Sequence, residues 1–242
     1  MSVMPRTLAE ARREFLRHRS PRILLACLAL ALALRVVVGD FSWWNVLPFV
    51  AVVVAQPFLE WTIHVFILHA RPKQIAGRTF DTVVARDHRL HHQDPRDLPL
   101  IFIPFRWVGY LIASVLLGGL LIPTWPMRTS FYVAAFAMAV VYEWSHFLIH
   151  TDYKPKTRMY RHLYDNHRWH HYRNEHYWFG ITSTVGDQIL RTSPGRDDVP
   201  VSKTAKNLLG SWAPAAREEA AATTMARAMG RVRNAFIGTS RR

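Results

Sequence analysis

The run "WVGYLIASVLLGGLLIP", residues 107–123, contains no charged side chain and no polar stripe. A helix packed on one side of a soluble core keeps a polar face, so this run reads as a helix with apolar surroundings on every side. Three more runs resemble it: 23–38, 43–64 and 130–148. Crossing a bilayer takes roughly 20 mostly apolar residues, and these four segments are read as spans. The first is short and carries Arg35, and it lacks a convincing cleavage site for a removable leader. Short connectors, "GDFS" (39–42) and "TWPMRT" (124–129), join the runs in pairs.

Charge orients the pairs. The 242-residue chain carries +14 at neutral pH, with 31 Lys and Arg against 17 Asp and Glu. Six of these basic residues lie in 1–22, seven in 70–106 and sixteen in 151–242, leaving only Arg35 in a span and Arg128 in the second connector. Two hairpins place all three basic regions on one side of the membrane, which the positive-inside rule makes cytoplasmic. The charge is therefore read as topology plus attraction to anionic headgroups, with no nucleic-acid partner, since no nucleic-acid motif accompanies it. The single cysteine, Cys27, excludes an internal disulfide and a cysteine-ligated iron–sulfur cluster.

The histidines fall on that same side. "HRLHH" (88–92) and "HRWHH" (167–171) are two copies of H-x-x-H-H, and each follows a pair at the end of a span, His64/His69 and His146/His150. On a helix, positions i, i+3 and i+4 share a face, so each H-x-x-H-H presents three imidazoles together and His146/His150 presents two. His64 and His69 stand about 140° apart on an ideal helix. They meet only where the helix ends, bends or takes a π turn. The ten residues His64, His69, His88, His91, His92, His146, His150, His167, His170 and His171 are the candidate metal ligands. Ten imidazoles exceed what one ion accepts, so two metals are expected, in a site too rich in ligands for a closed structural zinc.

Ligating imidazoles pass their second N–H to an acceptor, often a carboxylate. Asp87, Asp165, Glu60 and Glu143 are the candidates by proximity, the two glutamates lying one turn before His64 and His146. His162 and His176, each five residues from a cluster, are candidate outer ligands or outer-layer groups, and Asp187 is read as holding the chain. His18 is read as solvated, and the aromatic clusters "SWW" (42–44) and "YWF" (177–179) as markers of the membrane interface.

In order, H-x4-H, H-x-x-H-H, H-x-x-x-H and H-x-x-H-H resemble the fatty acid hydroxylase superfamily of membrane di-iron enzymes. The surrounding sequence is similar as well: "EWTIHVFILH" (60–69), "HRLHHQDPRDLPLIFIP" (88–104), "VYEWSHFLIH" (141–150) and "HRWHHYRNEHYWFGITSTVGD" (167–187) look most like fatty acid 2-hydroxylases. One departure is Val65, where the 2-hydroxylases often have arginine. The resemblance implies two iron ions held by the ten histidines, which zinc can replace in purified protein. O2 would be the co-substrate, and the reaction hydroxylation of a lipid C–H bond, first of all at C-2 of a fatty acyl chain. Sterol or carotenoid oxidation and lipid desaturation are the alternatives of the same chemistry, and a metal-binding or sensing protein is the alternative without turnover. With no haem or flavin motif, electrons would come from a separate ferredoxin or cytochrome b5-like donor and its reductase, drawn to the basic face, where Arg89 and Arg168 are candidate contacts.

The expected fold is an all-α integral membrane protein, with four transmembrane helices as two hairpins and a cytoplasmic helical cap carrying a histidine-rich dimetal site. Residues 1–22 form its basic cytoplasmic N-terminal segment and 23–200 the membrane hydroxylase domain. Residues 201–242 form a basic tail, amphipathic or disordered, with Met225, Met229, Val232 and Phe236 at helical spacing.

Overall fold

The computed structural model describes residues 4–208, so the expected helical stripe from Met225 to Phe236 lies outside the described residues. Helix α1 (Leu8–Phe15) opens on a capping box, Thr7 accepting from the Glu10 amide while Glu10 reaches back. It buries Ala11 and Phe15 in a cluster with Met4, Leu98, Ile101, Phe102, Phe147 and Leu148. His18, which caps the next helix, is not free in water: its ring stacks on Phe102 at 4.0 Å, and its Nε2 lies 3.4 Å from Glu14.

Four stretches are long and apolar enough to cross a membrane: Arg19–Val38, Trp43–Leu68, Leu98–Leu120 and Trp125–Ile149. They correspond to α2 (Arg19–Val38), α3 (Leu47–Ile63) with the turns flanking it, α5 (Leu98–Ile101) with α6 (Phe105–Leu120), and α7 (Trp125–Ile149). The long α7 packs against α2, α3 and α6. Leucines 30, 117 and 120 and valines 36, 37 and 54 are more than half exposed, as a lipid-facing surface requires.

Two boundaries differ from the sequence reading. "TWPMRT" is not a connector: Thr124 accepts from the Met127 amide and Pro126 sits in the first turn, so the segment starts α7. Arg128 therefore belongs to the helix, donating to the Ile122 carbonyl and lying over the Trp125 ring. The second difference is in the polar stretch after α3, where the chain is not purely helical. β1 (Lys73–Ile75) and β2 (Arg78–Phe80) pair antiparallel, with Lys73 opposite Phe80 and Ile75 opposite Arg78. Ala76 and Gly77 both take positive φ, the conformation of a two-residue hairpin turn.

The remaining helices carry the histidines. α4 (Val83–Gln93) is capped by Thr82, α8 (Arg158–Tyr172) by Thr157, and the short α9 (Val185–Ile189) packs against α3. That last contact needs a glycine: a Cβ on Gly186 would lie 2.5 Å from the Pro57 carbonyl oxygen.

Candidate metal centre

The chain crosses from α3 into the site through a π turn, His64–Leu68, in which the His69 amide donates to the His64 carbonyl at 3.1 Å. The extra residue in the turn returns position i+5 to the face of position i. His64 and His69 thus face the same way, their ring centroids 4.9 Å apart.

All ten candidate histidines come together, in two groups of five among the described residues. His64, His69, His88, His92 and His170 form one group, and His91, His146, His150, His167 and His171 the other; within each group the ligand atoms lie within 4.8 Å of one another. Each H-x-x-H-H is divided. His88 and His92 of α4 join the α3 pair, while His91 turns to the α7 pair; on α8, His167 and His171 join the α7 pair, and His170 crosses to the α3 pair. Helix geometry explains the split, since i+3 and i+4 fall about 100° apart on either side of i.

Four rings are set by backbone carbonyls. His64 Nδ1–H donates to Phe179 O at 2.7 Å, His92 to Ala205 O at 2.8 Å, His146 to Ile101 O at 2.9 Å and His170 to Tyr177 O at 2.8 Å. A carbonyl only accepts, so these rings hold their proton on Nδ1 and present a bare Nε2 lone pair. His64 Nε2 and His146 Nε2 are buried with no partner. Elsewhere Nε2 atoms face one another: His69 and His170 at 3.2 Å, His88 and His92 at 3.2 Å, His91 and His150 at 3.2 Å, and His167 with His150 and His171 at 3.1 Å. Two imidazoles about 2.1 Å from a shared ion at near-right angles bring their nitrogens about 3 Å apart. The donor set fits two metal ions.

Burial keeps these rings neutral. It depresses the pKa of His69, His88, His91, His150, His167, His170 and His171 well below the ordinary value, and that of His92 to about 3. Neutral imidazole is the ligating form.

The carboxylates are elsewhere than proximity suggested. Glu60 meets no imidazole; it accepts from the amides of Ile181 and Thr182 and from the Thr182 hydroxyl at 2.6 Å. Glu143 accepts from Ser20 Oγ at 2.7 Å and the Ile103 amide at 2.8 Å. Asp87 and Asp165, both half-buried, make no hydrogen bond to an imidazole among the described residues. His162 lies outside both groups, 3.4 Å from Asn166 Nδ2 and Thr184 Oγ1, and the exposed His176 faces Glu175 at 3.5 Å. Asp187 accepts from the amides of Phe179 and Gly180 and from the Thr192 hydroxyl; burial nonetheless pushes its carboxyl above the usual range.

Three parts of the site are missing from the sequence reading. "YWF" is one: the Phe179 ring lies 5.2–5.6 Å from the rings of His64, His69 and His170, and Tyr177 supplies the carbonyl for His170. Ala205 is another, held by a segment in which Arg173 donates to Val199 O and Thr204 to Glu175. The third is Ile101, packed beneath α1. Proximity of 177–179 to the last histidine box was the one visible signal. The carbonyls left none, because any residue can supply one.

The chain matches the family model for fatty acid hydroxylases over residues 49–192. It is 30% identical over 153 residues to the dihydroceramide fatty acyl 2-hydroxylase FAH2 of Arabidopsis thaliana, an alignment spanning 59% of each chain. With FAH1 of the same plant, named likewise, it is 27% identical over 169 residues, 66% of this chain and 60% of that protein. The aligned region thus spans about three fifths of these relatives' length. The fold is that of a solved structure, full-length scs7p with only its hydroxylase domain visible, at a TM-score of 0.58 and 22% identity over 75% of this chain and 66% of the other. A match over more than half of the chain, centred on the four histidine motifs, places this protein in the fatty acid hydroxylase family.

Proposed function

We propose that the protein is a membrane di-iron oxygenase that hydroxylates a fatty acyl chain at C-2. The observation that carries this reading is the pair of adjacent five-imidazole groups, buried except for the half-buried His69, in a chain with four membrane-length apolar helices. His64, His69, His88, His92 and His170 hold one iron and His91, His146, His150, His167 and His171 the other, with zinc able to replace iron during purification. Five nitrogens leave a six-coordinate ion one open position, unlike a closed structural site. When bound, the two irons supply O2 activation and attack on an unactivated C–H bond. The balance is C–H plus O2, two electrons and two protons giving C–OH and water. The chain's own share is to fix the rings, keep them unprotonated and exclude water, the Phe179 and Tyr142 rings packing against one group each. The names of the Arabidopsis relatives point to an acyl chain in ceramide-type linkage as substrate.

The four spans form two hairpins, α2 with α3 and α6 with α7, placing the termini and the metal site on the cytoplasmic side where the basic residues collect. Electrons come from a separate ferredoxin or cytochrome b5-like donor with its reductase. Arg89 does not serve its docking, because it is buried and joined to Asp81 and the Ala70 carbonyl. Arg168, lying over the Tyr164 and Tyr172 rings, and the exposed Arg158 and Arg161 on the same helix remain for that role.

Lipid mass spectrometry under 18O2, in cells expressing the protein with a donor and beside a His170→Ala variant, tests this reading. One 18O atom on C-2 of an acyl chain, gained only with the intact protein, is the expected result. A product two hydrogens lighter would make it a desaturase, and iron-loaded protein with no product under any donor would leave a metal-binding protein.

A further inference from the structure

We infer that Glu60 and Glu143 are paired positioning residues, each fixing one half of the metal centre through the backbone of a neighbouring segment. This rests on the two-metal reading above and adds to it a layer that touches no metal. Glu60 lies one turn before His64 on α3, yet its carboxylate grips Ile181 and Thr182 by their amides and the Thr182 hydroxyl. Asp187 takes the two preceding amides, Phe179 at 3.0 Å and Gly180 at 2.6 Å. Four consecutive N–H groups, 179–182, are thereby held by two buried carboxylates, and the carbonyl this leaves turned toward the cluster is Phe179 O, the acceptor for His64.

The second group repeats the arrangement. Glu143 lies one turn before His146 on α7, and its Oε1 accepts from the Ile103 amide at 2.8 Å and from Ser20 on α2 at 2.7 Å. Two residues before Ile103, the Ile101 carbonyl receives the His146 Nδ1 proton. In both halves a buried glutamate and the histidine it precedes reach the same segment, one through N–H donors and the other through a carbonyl. Each glutamate thus ties its own helix to the acceptor that selects the tautomer of its histidine. A carboxylate beyond hydrogen-bond range of any imidazole does the work expected of one in direct contact.

The two glutamates predict separable losses. In full-length protein purified in detergent and loaded with ferrous iron, metal per chain is measured by mass spectrometry during a timed chelator challenge. Glu60→Leu is expected to release one of two irons at least about tenfold faster than the unaltered chain, with Glu60→Gln restoring most of the retention, since its carbonyl oxygen still accepts both amides. Adding His64→Ala to Glu60→Leu should change little further, whereas adding His146→Ala should remove the remaining iron; Glu143→Leu should show the mirror pattern. A merely structural role would not sort by partner in this way. Where Glu60→Leu yields no folded protein, Thr182→Val takes its place, with a severalfold faster loss of one iron expected. Two irons released at the unaltered rate from Glu60→Leu or Thr182→Val, or loss that ignores which histidine is removed, would overturn the inference. An unaltered chain that binds no iron would instead sink the two-metal reading itself.

Discussion

The His69 amide donates to the His64 carbonyl, 3.1 Å away and five residues back, and this one π turn lets an H-x4-H pair do what the H-x-x-x-H pair His146/His150 does in a regular helix. Deleting the exposed Phe66 converts the pair to i, i+4 spacing, the residue removed being the one the turn absorbs. Both irons should stay bound in that variant. Inserting an alanine after Phe147, which pushes His150 about 100° around α7, should lose the iron of the second group. Metal analysis of the two purified variants decides the matter.

His91 and His170 serve the group opposite to their own motif neighbours. His91→Ala should therefore lower retention of the same iron as His146→Ala, and His170→Ala that of the same iron as His64→Ala. Either loss should cut hydroxylation by at least about 100-fold, the upper end of what outer-layer changes alone do at metal sites. Pairing each with a second histidine variant, and reading iron per chain, separates this assignment from one in which each motif serves a single metal.

Acid should destabilise the protein. Burial holds the cluster imidazoles outside the spans below their unfolded pKa, that of His92 at about 3, so unfolding takes up protons below about pH 6.5. The stability that neutral burial allows is complete above that value and is lost progressively as pH falls toward the folded-state pKa values. Metal binding runs in the same direction, because protons compete for the same lone pairs. Thermal unfolding in detergent should show a falling midpoint from pH 7.5 to 5.5 with and without iron; a flat midpoint in the metal-free protein would contradict it.

Gly180 has no room for a side chain. A Cβ there would collide with the Ser183 carbonyl and come within 2.9 Å of Asp187 Oδ2. Gly180→Ala should cost about 1–3 kcal/mol, the usual penalty for overpacking, and should loosen the iron beside Phe179 more than the other. Chemical denaturation and chelator kinetics on one preparation measure both effects.

Ala205 lies thirteen residues beyond the stretch matched by the family model, yet its carbonyl orients His92. A chain ended after Pro200 keeps all ten histidines and loses that acceptor. Iron affinity of the first group should drop about 10–100-fold in the shortened chain, as expected when an acceptor behind a ligand is removed. Competition against a chelator of known affinity reads it directly.

The spans and the ten histidines were legible because both depend on patterns internal to a helix: apolar length in one case, i, i+3, i+4 spacing in the other. The π turn could be posed as one of three conditions from the 140° mismatch alone. What spacing could not supply was the exchange of His91 and His170, since the direction of i+3 relative to i+4 matters only once the neighbouring helices are placed. The carboxylates misled for a related reason. Asp87 and Asp165 stand beside histidines in sequence but hydrogen-bond to no imidazole among the described residues, while Glu60 and Glu143 stand on the right face and turn their oxygens to amides 121 and 40 residues away. The start of α7 is hidden in the sequence because tryptophan, proline and arginine together suggest a turn, whereas Thr124 and Pro126 form a helix start.

The crossed histidines also say something about halves. The stretch holding α3 and α4 supplies four nitrogens to one group and one to the other, and the stretch holding α7 and α8 does the reverse. Neither stretch can complete a set of five from its own residues. Two like copies of one stretch, each lending its middle histidine to its mate, would reproduce the whole centre. The single chain thus has the internal logic of a swapped dimer, with two mates joined end to end and unable to separate without both losing a ligand.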